Sequence, residues 1–250
     1  MVPVWAWLMS SAVAGRCQRV MGFLTFAILD KYAGIELGKL RTNASTPEFE
    51  MEKVDFKKTQ KQFYQPKKNQ PELVDVPPMQ FLMVDGQGEP GNTAYQQAIE
   101  ALFSLSYGLK FQAKQNRMDY GVLPLEGLWW ADDMTSYTEN RRDEWLWTLM
   151  IRQPDFIEGS LVAQMKTTVA EKKDLPALSK VRFEEFREGP CGQIMHIGPF
   201  SEEGPTIAML HKYIEQQGHQ LSGKHHEIYL SDIRRADPAK WKTVIRQPYS

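Results

Sequence analysis

Cysteine is scarce in this chain, with only Cys17 and Cys191 among 250 residues. The two lie far apart, and no Cys-x-x-Cys or Cys/His spacing accompanies them. This argues against a disulfide framework and against a structural zinc site. A chain so poor in cysteine is typical of a reducing compartment, and the sequence therefore predicts a cytoplasmic location.

An excess of one charge is also lacking. The chain has 30 basic and 31 acidic residues, so its formal net charge is −1. Proteins that bind nucleic acid usually cluster a positive excess against the phosphates, and we therefore expect no nucleic-acid partner. The hydrophobic fraction of 42% is sufficient for a substantial core, in one large domain or two small ones.

No apolar run reaches the roughly 20 residues that a transmembrane helix needs, and the sequence predicts no membrane partner. Two shorter apolar runs lie near the start of the chain, but Arg16 and Arg19 follow the first run, unlike the charges of a secretory signal. A linker-like segment follows at residues 42–47. We interpret residues 1–50 as an N-terminal appendage or linker and residues 51–250 as the globular domain.

Two short sequence echoes indicate an internal repeat. Residues 150–154 (MIRQP) recur as residues 244–248 (VIRQP), and residues 125–132 (LEGLWWAD) resemble residues 226–232 (HEIYLSD). The echoes occur in the same order, which favours duplication over chance. They predict two modules, at about residues 70–155 and 178–250.

Both modules have a β-α-β-β pattern of predicted elements. In the first, strands are expected at 74–84, 122–130 and 144–151, with a helix capped by Asn92 or Thr93 that runs to about Phe111. The elements expected later are a linking helix at 157–172, strands at 182–186, 193–197, 228–231 and 242–246, and a helix near 205–217. The pattern predicts an α+β fold in which duplicated modules with pseudo-two-fold symmetry form antiparallel sheets.

Residues 86–91 (GQGEPG) match the G-x-G-x-x-G pattern of dinucleotide-binding proteins. However, Pro90 removes a backbone amide from the turn that would hold the pyrophosphate. Lys110 and Phe111 stand where an acidic residue would bind the ribose. The segment therefore predicts an ordinary strand-to-helix turn, and we expect no cofactor.

The histidines do not form a metal-binding pattern. His225 and His226 are adjacent, so on a strand they face opposite ways, and His196 stands alone on its predicted strand. A buried or groove histidine is the ordinary interpretation of each, and we expect no bound metal. The G-x-S-x-G motif of serine hydrolases is absent as well.

Glu126 and Glu227 are the main candidates for chemistry, because each lies in a predicted strand among large apolar residues. Strand alternation places Glu126 on the face of Trp130 and Glu227 on the face of Tyr229. A solvent-facing carboxylate is the ordinary alternative for either residue alone. The repeat favours a groove lined by both, where lost solvation would raise the carboxylate pKa and make it a better base.

Aromatic residues are concentrated around these segments. Tryptophans serve more often in a core than in a pocket, but with seven in the chain we expect some to line a pocket. The aromatic residues concerned are Tyr107, Trp129, Trp130, Trp145, Trp147, Phe200 and Tyr229.

Several motifs together carry a family resemblance. They include residues 63–67 (FYQPK), 81–90, 124–129 (PLEGLW), 196–199 (HIGP) and 225–232 (HHEIYLSD). From about residue 57 to 248 the chain resembles the GyrI-like small-molecule-binding domain family, in the branch that lacks a DNA-binding helix-turn-helix. The resemblance implies two β-α-β-β modules about a pseudo-two-fold axis, with the ligand in the groove between them.

The resemblance also implies a ligand class and a set of site residues. Family members bind amphipathic compounds, often aromatic or cationic, and some resemble hydrolases that open the cyclopropane of DNA-alkylating natural products. The groove glutamate corresponds best to Glu227. Together with the paired strands of Glu and aromatic residues, this predicts Glu227 as the general base and Tyr229, with Tyr107, as donors to the oxygen where charge collects. Glu126 is a ligand-binding residue and the second candidate for the base. The other expected ligand-binding residues are Trp129, Tyr107, Trp147, His196 and Phe200, the last standing where the family often has tyrosine.

Two alternatives remain open at this point. The same groove suits a passive module that sequesters drugs or presents a metabolite for sensing, without any chemistry. A purely structural protein–protein module fits an acidic, aromatic groove less well.

Overall fold

The structure, a computed structural model, describes residues 53–133, 135–139 and 141–250. The expected appendage at residues 1–50, including Cys17, lies outside the described residues. The helices are α1 (Phe56–Thr59), α2 (Lys61–Tyr64), α3 (Thr93–Gln115), α4 (Thr135–Thr138), α5 (Gly159–Lys172) and α6 (Gly204–Gln216). The strands are β1 (Glu72–Val76), β2 (Met79–Gln87), β3 (Leu125–Trp130), β4 (Leu146–Gln153), β5 (Arg182–Phe186), β6 (Gly189–Ile197), β7 (His225–Tyr229) and β8 (Lys242–Pro248).

Within the described residues the strands form one eight-stranded sheet in the order β1-β6-β8-β7-β3-β4-β2-β5. Every neighbouring pair is antiparallel, so the predicted α+β class with antiparallel pairing is confirmed. Outward from the central β3–β7 pair, the strands β4, β2 and β5 lie on one side, and β8, β6 and β1 lie in the corresponding places on the other. The first strand of each half of the sequence, β1 or β5, therefore pairs with a strand of the other half. This is the arrangement that a two-fold axis would produce, while the duplication itself stays a prediction.

The predicted strand at 74–84 is wrong in one respect, since the structure divides it into β1 and β2. Pro77 and Pro78 separate the two strands, because proline cannot donate a hydrogen bond to a sheet. Helix α3 begins after Asn92, whose side chain accepts a hydrogen bond from the Tyr95 amide at 2.8 Å. Residues 86–91 form the turn between β2 and α3, with Gly88 in a positive-φ conformation.

The two faces of the sheet are covered differently. Helix α3 packs on β2 and β4, and helix α6 packs on β6 and β8. We call this side the helix face; its core includes Leu82, Leu105 and Leu149, which are fully buried. On the opposite face, α2 contributes Phe63 and Tyr64 to a second apolar cluster. None of the helices in the described part of the chain is long and apolar enough to cross a membrane.

Candidate functional site

A buried carboxylate lies at the centre of the helix face. Glu227 is 4% exposed and accepts a hydrogen bond from the Tyr229 hydroxyl at 2.8 Å. The Tyr229 hydroxyl in turn accepts one from Trp129 Nε1 at 3.2 Å. His225 Nε2 lies 3.2 Å from the other Glu227 oxygen. Both oxygens of the carboxylate therefore have side-chain partners, which hold it in a fixed orientation.

The pairing of β3 with β7 explains how these side chains meet. His225, Glu227 and Tyr229 alternate along β7 and so share one face, and Gly127 of β3 lies directly opposite Glu227. A Cβ atom at Gly127 would lie 2.8 Å from Trp129 Nε1 and 3.0 Å from the Tyr229 hydroxyl. Glycine is therefore required for the close approach of Trp129 and Tyr229.

Replacing Gly127 by alanine is expected to break the Trp129–Tyr229 hydrogen bond, because the new methyl group occupies the space between the two side chains. We expect weaker ligand binding and a destabilisation of about 1–3 kcal/mol, as is usual for overpacking. Calorimetric titration and chemical denaturation measure the two effects. Gly121→Ala is the matched control, because its Cβ would contact only the Lys53 side chain, at 3.9 Å. Equal behaviour of the two variants would contradict the role of Gly127.

A second carboxyl group lies beside Glu227. Glu203, just before α6, is completely buried, and its carboxyl group lies within side-chain hydrogen-bonding reach of Glu227 and Thr243. Burial, and next the charge of Glu227, hold the pKa of Glu203 well above its usual range. The neutral form of Glu203 is therefore favoured in the folded protein.

Helix α6 adds a neutral imidazole behind this cluster. His211 is fully buried, and burial, followed by the proximity of His225, lowers its pKa to about 4. Sequence reasoning missed Glu203 and His211, because neither lies in an echo or a recognised motif. The two positions gave no sequence signal beyond polar residues in an apolar helical pattern.

A cavity of about 230 Å³ adjoins the cluster. Its walls are mostly apolar and include Ile99, Val122 and Leu125, while Lys57 is among the charged residues that line it. Tyr229 belongs both to the cavity wall and to the carboxylate cluster, whereas Glu227 does not line the cavity. A ligand in the cavity therefore contacts the cluster through Tyr229.

Several of the predicted site residues come together here. Glu227, Tyr229 and Trp129 form the hydrogen-bonded cluster, and the Phe200 ring packs edge-on against Tyr229 with centroids 5.6 Å apart. Tyr107 of α3 lines the cavity.

Two other predicted residues have different surroundings. His196 lies on the helix face, but its Nδ1 accepts from the Thr206 hydroxyl at 3.0 Å and its Nε2 donates to the Pro199 carbonyl at 3.2 Å. These bonds fix the start of α6. Trp147 is buried in the core over Gly86 and does not line the cavity.

The prediction that Glu126 shares a groove with Glu227 is wrong, because the two glutamates lie on opposite faces of the sheet. Glu126 in β3 pairs with Ile228 in β7 on one side and with Met150 in β4 on the other. The IRQP echo matches Met150 with Val244, and Val244 pairs with Ile228. The position in β7 that corresponds to Glu126 is thus Ile228, and a shift of one residue reverses the face.

On the opposite face Glu126 belongs to a buried charge network, which consists of Glu126, His226, Glu188 and Arg246. His226 Nε2 lies 3.1 Å from Glu126, and its Nδ1 lies 2.9 Å from Glu188. Arg246 Nη1 lies 3.3 Å from the other Glu188 oxygen. Burial by itself would lower the pKa of His226, but Glu188 and Glu126 outweigh it and raise that pKa to about 9.

The protonated His226 makes the free energy of unfolding fall as the pH becomes alkaline. Because its pKa is about 6.5 in the unfolded chain and about 9 in the folded protein, its contribution is complete below pH 6.5. The contribution is lost as the pH rises through about 9, so we expect a smaller free energy of unfolding at about pH 10 than at about pH 7. Urea denaturation at both values measures it. If His226→Gln lost as much stability as the wild type over this interval, the assignment would be wrong.

Comparisons with known proteins give matches to the domain family and to the overall fold. The family model for the GyrI-like small molecule binding domain matches residues 69–250. An uncharacterized conserved protein from Listeria innocua is 43% identical, with a TM-score of 0.75, over 79% of this chain and 100% of its own. A hydrolase from Listeria innocua is also 43% identical over the same shares, with a TM-score of 0.70. A search of curated proteins gives no match.

Proposed function

Because the chain belongs to the family of GyrI-like small-molecule-binding domains, we propose that it binds amphipathic aromatic compounds in the cavity and adds water to reactive, cyclopropane-bearing electrophiles. The observation that carries this proposal is the buried Glu227 carboxylate, bonded to Tyr229, which also lines the cavity. The similar Listeria protein described as a hydrolase supports the reaction class.

Glu227 is the general base in the proposed reaction. Tyr229 donates a hydrogen bond to Glu227 and borders the cavity. A water beside the ligand therefore passes its proton to the Tyr229 hydroxyl as the hydroxyl proton moves to Glu227. Trp129 and His225 keep the tyrosine and the carboxylate in position. The raised pKa of Glu203 favours its neutral form, which avoids a second negative charge beside Glu227.

The water oxygen forms a bond to the strained ring carbon, and the adjacent carbon–carbon bond of the cyclopropane breaks. The electron pair of that bond moves through the conjugated system to a carbonyl oxygen, which then takes up a proton from solvent, and Glu227 releases to solvent the proton that it accepted from the water. Tyr107 on the cavity wall donates a hydrogen bond to this oxygen while charge accumulates there.

Turnover of a cyclopropane-bearing alkylating compound tests the proposal. The full chain is incubated with the compound, and the ring-opened product, heavier by one water, is followed by mass spectrometry. Conversion over many turnovers supports the hydrolase.

A passive binding module is the second candidate, and it is favoured by the separation of Glu227 from the cavity surface. Saturable binding by calorimetry, without any conversion above the rate in buffer, would establish this second function instead.

A further inference from the structure

The cavity is smaller than the pockets that usually hold drug-sized ligands. Its volume is about 230 Å³, whereas pockets for drug-sized ligands usually measure about 300–1,000 Å³. A ligand of that size therefore fills the cavity and extends past its mouth. The residues just outside the mouth then contribute to binding.

An aromatic ladder leads out of the cavity along α3. Phe103, Tyr107 and Phe111 are spaced four residues apart, so they share one face of the helix. Ring centroids are 6.3 Å apart in both successive pairs, and the planes are inclined by 31° and 30°. Phe103 and Tyr107 line the cavity, while Phe111 is 36% exposed. The ladder thus continues the cavity wall onto the surface.

The charges beside the ladder are mostly positive. Lys57 lines the cavity, and Lys172 and Lys173 line a small hollow that also contains Tyr107 and Phe111. The acidic residue of the cavity lining, Asp232, is engaged by Arg234 with Nη2 and Oδ2 2.5 Å apart. A cationic group would therefore be repelled here, and a neutral or anionic group would be accepted.

We propose that the aromatic ladder is the outer half of the ligand site, and that it takes a flat aromatic extension of the ligand that is neutral or anionic. This assignment depends on the proposed function, since the inner half of the same ligand occupies the cavity. The ring faces of the ladder stack on the extension, and the lysines select its charge.

The test uses three probes: biphenyl carboxylate, p-terphenyl carboxylate and p-terphenyl trimethylammonium. We expect the wild-type chain to bind p-terphenyl carboxylate more tightly than either of the others in calorimetric titration. Phe111→Ser should weaken binding of p-terphenyl carboxylate roughly fivefold and leave biphenyl carboxylate within about twofold, because only the longer probe reaches the outer ring.

Met209→Ser is the matched control, since Met209 is a similarly exposed apolar residue on α6 and is 41% exposed. It should change neither affinity. Equal affinities of wild type and Phe111→Ser for p-terphenyl carboxylate would contradict the role of the ladder and leave the proposed function standing. Tighter binding of the cationic probe would have the same meaning. If the wild-type chain bound none of the probes, the proposed function would fail and the ladder with it.

Discussion

Replacing Glu227 by glutamine is expected to lower turnover by about 100-fold to 10,000-fold and to leave ligand affinity nearly unchanged. Glutamine keeps the shape of the side chain but cannot accept the proton of the attacking water, and general base catalysis usually contributes an effect of this size. Because Glu227 does not line the cavity, the surfaces that bind the ligand are preserved. Steady-state turnover and calorimetric titration separate the two quantities.

Glu126→Gln is the matched control for this prediction. Glu126 is an equally buried glutamate on the adjacent strand, but its side chain lies on the opposite face and contacts His226. We expect it to lower stability while each folded molecule keeps its turnover. Full turnover in Glu227→Gln, or an equal loss in both variants, would contradict the assignment of the base.

Replacing Arg246 by methionine is expected to lower the free energy of unfolding by about 3–5 kcal/mol. Arg246 is 3% exposed and bonds to Glu188, to Gln193 Oε1 at 3.1 Å and to the Phe63 carbonyl at 2.5 Å. Its removal takes away the arginine partner of Glu188, which stays buried beside His226. Removal of one member of a buried pair is costly because the remaining charge stays out of water.

Arg182→Met serves as the comparison, because Arg182 is also a strand arginine paired with carboxylates, Asp85 and Glu184, but at a more exposed position. We expect a change of less than about 1 kcal/mol there, as for other surface pairs. Urea denaturation measures both variants. Similar losses for Arg246→Met and Arg182→Met would show that the charge network is not a main source of stability.

The elements of the fold were largely accessible from the sequence. The strand at 182–186 and the helix near 205–217 are found within one residue, because alternation and helical periodicity reflect burial directly. The segment at 74–84 was mispredicted because it is rich in β-forming residues on both sides of Pro77 and Pro78, while the backbone pairing of one strand cannot continue through two prolines. The family resemblance is confirmed by the match over residues 69–250.

The candidate site was only partly accessible. Alternation correctly placed Glu227 with Tyr229, because faces within one strand follow from residue parity. The relation of Glu126 to Glu227 depends on the register between strands, which similar-looking echoes do not determine when they are offset by one residue. Glu203 was not predicted, because its burial arises from the packing of α6 on the sheet.

A single-turnover reaction in oxygen-18 water tests whether Glu227 activates a water molecule for attack on the strained ring. The wild-type chain in excess converts a cyclopropane-bearing compound, and mass spectrometry locates the heavy oxygen. We predict one oxygen-18 in the ring-opened product, and a rate near that of buffer alone for Glu227→Gln. Product without the label would mean attack by a protein carboxylate, and an unchanged rate in the variant would mean that Glu227 is not the base; either result would contradict the account.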